Sequence, residues 1–396
     1  MSTQEHARNK NSKIQQAILT VALALLLALG IVPLQACSTE SEAPQAQDPE
    51  QAAPAVSSDE MAERTIIDAA GRSVTIPGVG ALERIYFTSA TAEIFCISLA
   101  PDLSGGTTYE LSADELRFLP AEMANLSFLG TTSGNKQLNL EAIMAEGIQV
   151  IFSTSFDAPN ERDVSDADAI QQQTGIPVIL MNGALEESAN TYRFLGEVLG
   201  RVEDAEELAA YCEITLKNVT NAVATIPDSE RITLYYAEGS DGLQTEPDTS
   251  PHALIFKLAG AHNVAQVEAN QGMGMSDVSL EQVTAWDPEV IIVWSYVLRG
   301  GAENTIRSDN AWASIQAVRD GRVYAMPNAP FSWCDRPPVS NRLLGLQWIA
   351  NMLYPDAYDV DMVEVTKDFY SLFYHVNITD AEAKELLGNS YPVYQG

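Results

Sequence analysis

One sixteen-residue pattern occurs twice in this chain, and it constrains the architecture more than any other feature. Leu138-Asn-Leu-Glu-Ala-Ile-Met-Ala-Glu-Gly-Ile-Gln-Val-Ile-Phe-Ser153 aligns without gaps on Val278-Ser-Leu-Glu-Gln-Val-Thr-Ala-Trp-Asp-Pro-Glu-Val-Ile-Ile-Val293. Each copy reads as a capping residue (Asn139, Ser279), a short helix opening on Leu-Glu, a turn at Gly147 or Asp287-Pro288, and a buried strand. A capped helix leading to a strand also recurs by chance in α/β proteins. A second pair in the same order, Glu83-Arg84-Ile85 and Glu230-Arg231-Ile232, each ahead of a strand, favours two related lobes.

Short β-branched runs alternate with amphipathic stretches from Glu83 onward: Ile85–Thr88 then Ala90–Leu99, Gln149–Ser153 then a helix near Ala167–Gln173, then Val178–Met181. This alternation predicts α/β lobes with mainly parallel, Rossmann-like sheets. Ahead of them, Arg64–Pro77 places two β-rich runs around Ala70-Gly71 and reads as a hairpin. Between the lobes, Glu203, Asp204, Glu206 and Glu207 open a stretch whose apolar residues Ala205, Leu208, Cys212, Leu216, Val219 and Val223 keep helical spacing up to Pro227. A single helix of ~24 residues spans about 36 Å at 1.5 Å per residue, enough to join two lobes. Ligands of open α/β sheets sit at the carboxyl ends of the strands, so two facing lobes create a cleft there. The expected organisation is a first lobe over 63–200, a lobe-spanning helix over 201–226, and a second lobe with a helical tail over 227–396.

The first 62 residues have other business. Arg8, Lys10 and Lys13 precede an apolar run from Ala17 to Val32, followed by Leu34-Gln-Ala-Cys37. A basic region, an apolar core and a small residue before the cut form a secretory signal over 1–36. The Leu-x-Ala-Cys ending resembles a bacterial lipobox, which makes Cys37 the lipidated N-terminus; an uncleaved membrane anchor is the competing reading. Either way the globular part lies outside the cytoplasm. Residues 37–62, rich in Ser, Glu, Ala, Pro and Gln, lack the aliphatic bulk to bury a core and read as a flexible tether.

The net charge of −32 repels nucleic acid at long range and argues against binding it. Cys37, Cys96, Cys212 and Cys334 fit no zinc pattern, CxxC pair or dense disulfide framework. No HExxH, GxSxG or Walker-type Gly-Lys-Ser/Thr run appears, and Cys334 beside Asp335 has no histidine near it in sequence.

The stretch Phe331-Ser-Trp-Cys-Asp-Arg-Pro-Pro-Val-Ser-Asn-Arg342 is a proline-stiffened loop ahead of an apolar helix running to Leu353. Ser340 or Asn341 is expected to cap that helix. A stiff loop on a scaffold is where binding residues tend to sit.

Taken together, Ile67-Asp-Ala-Ala-Gly-Arg-Ser-Val-Thr-Ile76, Glu83-Arg-Ile-Tyr-Phe87, the Ser279–Ile292 unit, Asp320-Gly-Arg-Val-Tyr324 and Arg336–Arg342 resemble the helix-linked (class III) periplasmic-binding-protein family. That family serves ABC importers of iron–siderophores, cobalamin and haem, with relatives that bind molybdate or tungstate. The resemblance covers Arg64 to Leu387 and implies a monomeric, non-enzymatic binding protein with no resident cofactor or metal. It would capture a metal chelate, an iron–siderophore foremost, and pass it to a permease with its ATPase. The aromatics of Val365–His375 are expected to pack in the core. By the same resemblance Glu93 matches the first lobe's permease-docking glutamate. In the second lobe Leu254 stands where the matching glutamate is expected, and Asp248 is the substitute.

Following the strand ends gives candidate ligand contacts. In the first lobe these are Thr88, Ser89, Tyr109 and the Ser153–Asp157 loop. In the second they are the Gly239–His252 loop, Trp294-Ser295-Tyr296, Trp333 and Arg336. Trp333 and Tyr109 offer surfaces for a bulky ligand, and Arg336 a planar fork for a carboxylate or oxyanion. Each has a plainer use: Tyr109 as a core cap, Arg336 paired with Asp335 or Asp157, His252 as a core or capping residue rather than a metal ligand. A chelatase-like enzyme using His252 and carboxylates, and a surface sensor or adhesion module, are the rival functions.

Overall fold

The computed structural model describes residues 58–133, 136–270, 274–294, 301–388 and 390. The chain divides into two units, Met1–Ala55 and Val56–Gly396, and everything below concerns the second. The signal, Cys37, most of the tether, Ser295 and Tyr296 lie outside the described residues.

The hairpin forms as expected, β1 (Arg64–Ile67) antiparallel to β2 (Ser73–Ile76). Just before it, Ser58–Met61 is a short helix rather than part of the expected tether. Its end lies directly over Gly78, whose missing side chain makes the room: a Cβ there would run into the backbone of residues 60–62.

The first lobe is a parallel sheet of β3 (Ile85–Phe87), β4 (Val150–Thr154) and β5 (Val178–Met181), in that order. Helix α1 (Ala90–Ile97) follows β3, α2 (Leu140–Ala145) precedes β4, and α3 (Glu161–Thr174) joins β4 to β5. After α4 (Ser188–Leu199), the predicted long helix is α5, Val202–Val223. The second lobe repeats the plan with β6 (Thr233–Ala237), β8 (His262–Asn263), β10 (Val290–Val293) and β11 (Val323–Ala325), all parallel in the order β8-β6-β10-β11. A small antiparallel pair, β7 (Gln244–Thr245) and β9 (Ser276–Asp277), is appended.

The two orders correspond. β3 and β6 lead their halves, β4 and β10 take the next place, and a parallel bridge between Ile85 and Ser104 stands where β8 pairs with β6. The repeated sequence unit is α2–β4 in one lobe and α6 (Leu280–Trp286)–β10 in the other, with Asn139 and Ser279 capping as read. Strands β4, β5, β6 and β10 are apolar and largely buried because helices or loops cover both faces. In β6, for instance, Leu234 and Tyr236 join the main core while Tyr235 and Ala237 face a second cluster with Val293 and Trp312.

The helix after the loop, α7 (Arg342–Leu353), is buried all round, packing on α5 and on the tail helix α8 (Met362–Tyr374). Neither predicted cap operates. Ser340 Oγ accepts from Tyr192 at 2.8 Å, and the Asn341 amide donates to the carbonyls of Ser332 and Pro337, so both side chains hold the loop instead. In the tail, Phe369, Tyr370, Phe373 and Tyr374 are core residues, as expected. Cys96, Cys212 and Cys334 are buried and free.

Candidate functional site

The loops that follow β3 and β4 in the first lobe meet loops of the second, Tyr109 against Phe331 and Phe156 against His252. After β3, Thr88 donates its hydroxyl to Ser153 Oγ at 2.9 Å, and Ser89 caps α1 by accepting from the amide of Ala92. At the end of β4, Thr154 Oγ1 and Ser155 Oγ are buried and take no partner among the described residues. The ends of β3 and β4 thus carry neutral hydroxyls.

The second lobe presents charges. Arg336 donates from Nε to Glu238 Oε1 at 3.0 Å and from Nη2 to Glu246 Oε1 at 2.6 Å, with Asp335 Oδ2 3.5 Å away. Asp335 in turn meets His252 Nδ1 at 2.7 Å and Arg342 at 3.5 Å. Glu238, Glu246 and Asp335 are fully buried, and a fifth of the Arg336 side chain remains exposed. Its backbone sits at φ +55°, a left-handed conformation uncommon for a residue with a Cβ and concentrated at functional sites.

Burial pushes the Glu238 carboxyl up to about 8; Arg336 opposes this, while Asp335 and Glu246 add to it. Burial acts to lower the Arg336 guanidinium, but Asp335 and Glu238 outweigh it and hold it above its ordinary range. Arg342, deeper in, is lowered by burial against the pull of Asp335.

Among the described residues several aromatic contacts join 63–200 to 227–396, and two of them involve loops that carry candidate site residues. The Phe156 ring lies edge-on to His252, centroids 5.1 Å apart, and Tyr109 meets Phe331 at 5.6 Å. Beside the second contact is a cleft of about 120 Å³, with Tyr109 and Lys136 from one lobe facing Phe331, Ser332 and Arg336 from the other. It shares Glu115 and Asn328 with a wider groove of about 510 Å³ that runs to Arg117 and Leu387.

With that geometry in place, comparison with known proteins is informative. The periplasmic binding protein family matches residues 131–330, half of the chain. The chain belongs to this family. A solved ABC transporter solute binding protein from Sulfurospirillum deleyianum is 32% identical, with a TM-score of 0.73, and the match covers 82% of this chain and 98% of that one. The molybdate-binding protein MolA of Haemophilus influenzae is 26% identical over 337 residues, 80% of this chain and 92% of MolA. The solved MolA bound to molybdate superposes with a TM-score of 0.63, covering 80% of this chain and 99% of that one. This periplasmic binding protein is therefore an extracytoplasmic solute-binding protein and not an enzyme.

Among the predicted contacts, Tyr109 and Arg336 reach the cleft, and His252 lies at the lobe junction with its Nδ1 2.7 Å from Asp335. Tyr296 lies outside the described residues. Thr88 and Ser89 are at the strand end, though their hydroxyls are committed to Ser153 and to the α1 cap.

Two expectations need correcting. Trp333 has no exposed surface: its indole N–H donates to Tyr370 at 3.3 Å, and its backbone presses on Gly345 of α7. It anchors the loop in the core and presents no face to a ligand. Glu93 is also buried, with Oε2 accepting from the amide and hydroxyl of Thr108. A docking carboxylate has to reach a partner's surface, and this one is turned into its own lobe. In the second lobe Asp248 is exposed and Leu254 half-buried.

Glu246 lies in the candidate Gly239–His252 loop, and Glu238 is one residue ahead of it, outside the sequence-based candidates. The available signal was a glutamate ending the apolar run Leu234-Tyr-Tyr-Ala237 at the carboxyl end of a strand.

Proposed function

We propose that this protein is the capture component of an ABC importer, closing two lobes on a small metal oxyanion such as molybdate or tungstate and handing it to a permease driven by its ATPase. The size and lining of the cleft carry this choice. About 120 Å³ suits a compact anion, for which Lys136, Arg336 and Ser332 supply N–H and O–H donors beside the Glu110 and Glu115 carboxylates that share the lining. A siderophore, cobalamin or haem calls for the several hundred Å³ usual for larger ligands. Similarity to MolA favours the same ligand class.

The iron–siderophore reading keeps one observation in its favour, the 510 Å³ groove continuous with the cleft through Glu115 and Asn328. Calorimetry of the full-length protein in detergent separates the two. Molybdate and tungstate are expected to saturate one site per chain, with Arg336→Ala weakening them at least tenfold. Tight binding of a ferric siderophore that molybdate does not compete away would overturn the oxyanion reading.

The same proposal has the signal removed before Cys37, the cysteine lipidated, and 37–57 acting as a tether between the membrane and a monomeric two-lobed body. Radiolabelled palmitate incorporated by the wild type and lost in Cys37→Ser is the expected result.

A further inference from the structure

Around Arg336 and Arg342 stand three buried carboxylates, unusual neighbours for an arginine that is to take an anion. Each of the three keeps one oxygen without a hydrogen bond among the described residues: Glu238 Oε2, Glu246 Oε2 and Asp335 Oδ2. They are not held alike. Glu246 Oε1 also accepts from the amide of Met275 at 2.8 Å, and Gly274 is packed against it. Asp335 is fixed by His252 and Arg342 besides Arg336. The Glu238 carboxylate has Arg336 as its hydrogen-bond partner and no other among the described residues. It is the carboxylate that can let go.

We propose that Glu238 stands in for the ligand on the Arg336 guanidinium in the empty cleft, and that it yields this place by taking one proton from solvent when an anion binds. Wherever the free protein holds that carboxyl ionised, oxyanion capture is then coupled to proton uptake. This inference rests on the oxyanion reading above. The proton settles on Glu238 Oε2, now a neutral acid, so the incoming charge replaces the lost one instead of adding to it.

The groups facing Glu238 are Arg336 and Asp335 on the loop, Glu246 after β7, and Tyr235 and Tyr236 on its own strand. His252 and Arg342 act through Asp335. The Tyr236 hydroxyl has no hydrogen-bond partner among the described residues, and burial keeps it protonated, so it supplies no competing charge. With the free carboxyl titrating near 8, it is already neutral below that pH and binding there takes up no proton. Above it each binding event requires one, and affinity falls by up to tenfold per pH unit.

Calorimetry of the full-length protein with sodium molybdate at pH 6.5, 7.5 and 9.0, in paired buffers of different ionisation enthalpy, counts the protons directly. Uptake is expected to be near zero at pH 6.5 and to approach one at pH 9.0. In Glu238→Gln uptake disappears and affinity is the same at all three pH values, whereas Glu246→Gln keeps the uptake. Molybdate binding by the wild type with no uptake at pH 9.0 overturns the coupling and leaves the oxyanion reading standing, as does uptake retained in Glu238→Gln. Failure of molybdate and tungstate to bind at any pH removes the oxyanion reading and the coupling together. The wild-type proton count decides even if the Gln variant does not fold.

Discussion

The two lobes share a plan but end their strands in opposite chemistry. The first closes on hydroxyls, with Thr88, Ser153, Thr154 and Ser155 near the ends of β3 and β4. The second closes on a buried charge network of Arg336, Arg342, Glu238, Glu246, Asp335 and His252. Hydroxyls rotate to suit a ligand without changing charge, whereas a buried network must stay balanced whenever one member is disturbed. The repeated unit therefore accounts for the scaffold and not for the site: adaptable donors come from one side and a fixed electrostatic frame from the other.

Breaking the frame is expected to have the largest effect. Arg342→Met removes the donor to the carbonyls of Cys334 and Pro251 and strips Asp335 of a buried partner. A loss of about 3–5 kcal/mol is expected in chemical denaturation. A change in the first lobe's hydroxyls, such as Thr154→Val, should cost far less; equal losses would erase the contrast. Trp333→Ala is expected to destabilise by a similar ~3–5 kcal/mol, because it empties a fully buried site. Ligand affinity of the folded fraction should change little, and a selective loss of affinity without loss of stability would return Trp333 to the binding surface.

The buried acids of the two lobes give the next test. Glu93, held by the neutral Thr108, is pushed by burial up to about 7, against an ordinary carboxyl value of 4.5. Between those two values the folded protein holds more protons than the unfolded chain, so stability falls as pH rises through the window and levels off above about 7. Glu93→Gln should remove this slope, worth up to about 3 kcal/mol. An unchanged pH–stability curve in the variant would show that Glu93 is already well solvated.

The smallest effects compare the repeats themselves. Ser279 has a full capping box with Gln282, whereas Asn139 caps α2 through a single bond to the amide of Ala142. Replacing either by Ala should cost about 1 kcal/mol, with the Ser279 variant the worse of the two in thermal melts.

The scaffold was legible because it is written in local periodicity: caps, apolar strands and the helical spacing of α5 all lie within a few residues of one another. Arg336 could be placed at the cleft because its loop follows the last strand of its lobe. The fate of Trp333 was not legible, since a proline-rich loop has no period to say which face a side chain takes. Nor was that of Glu93. A carboxylate in a first helical turn reads as a dipole partner at the surface, and only the fold reveals Thr108 waiting beneath it. Glu246 falls inside the candidate Gly239–His252 loop without being picked out of it, and Glu238 lies one residue outside, because their partner Arg336 is 90 and 98 residues away in sequence.

The burial of Trp333 also has a spectroscopic consequence. All five tryptophans lie between residues 286 and 348, within the second lobe and its attached helix. Trp312, Trp333 and Trp348 are shielded from water, so their emission should be blue and nearly blind to the cleft. Trp294, half-buried just past the end of β10, is the natural reporter among the described tryptophans. Intrinsic fluorescence of this protein thus watches one wall of its cleft, and a tryptophan introduced at Phe156 would let it watch both.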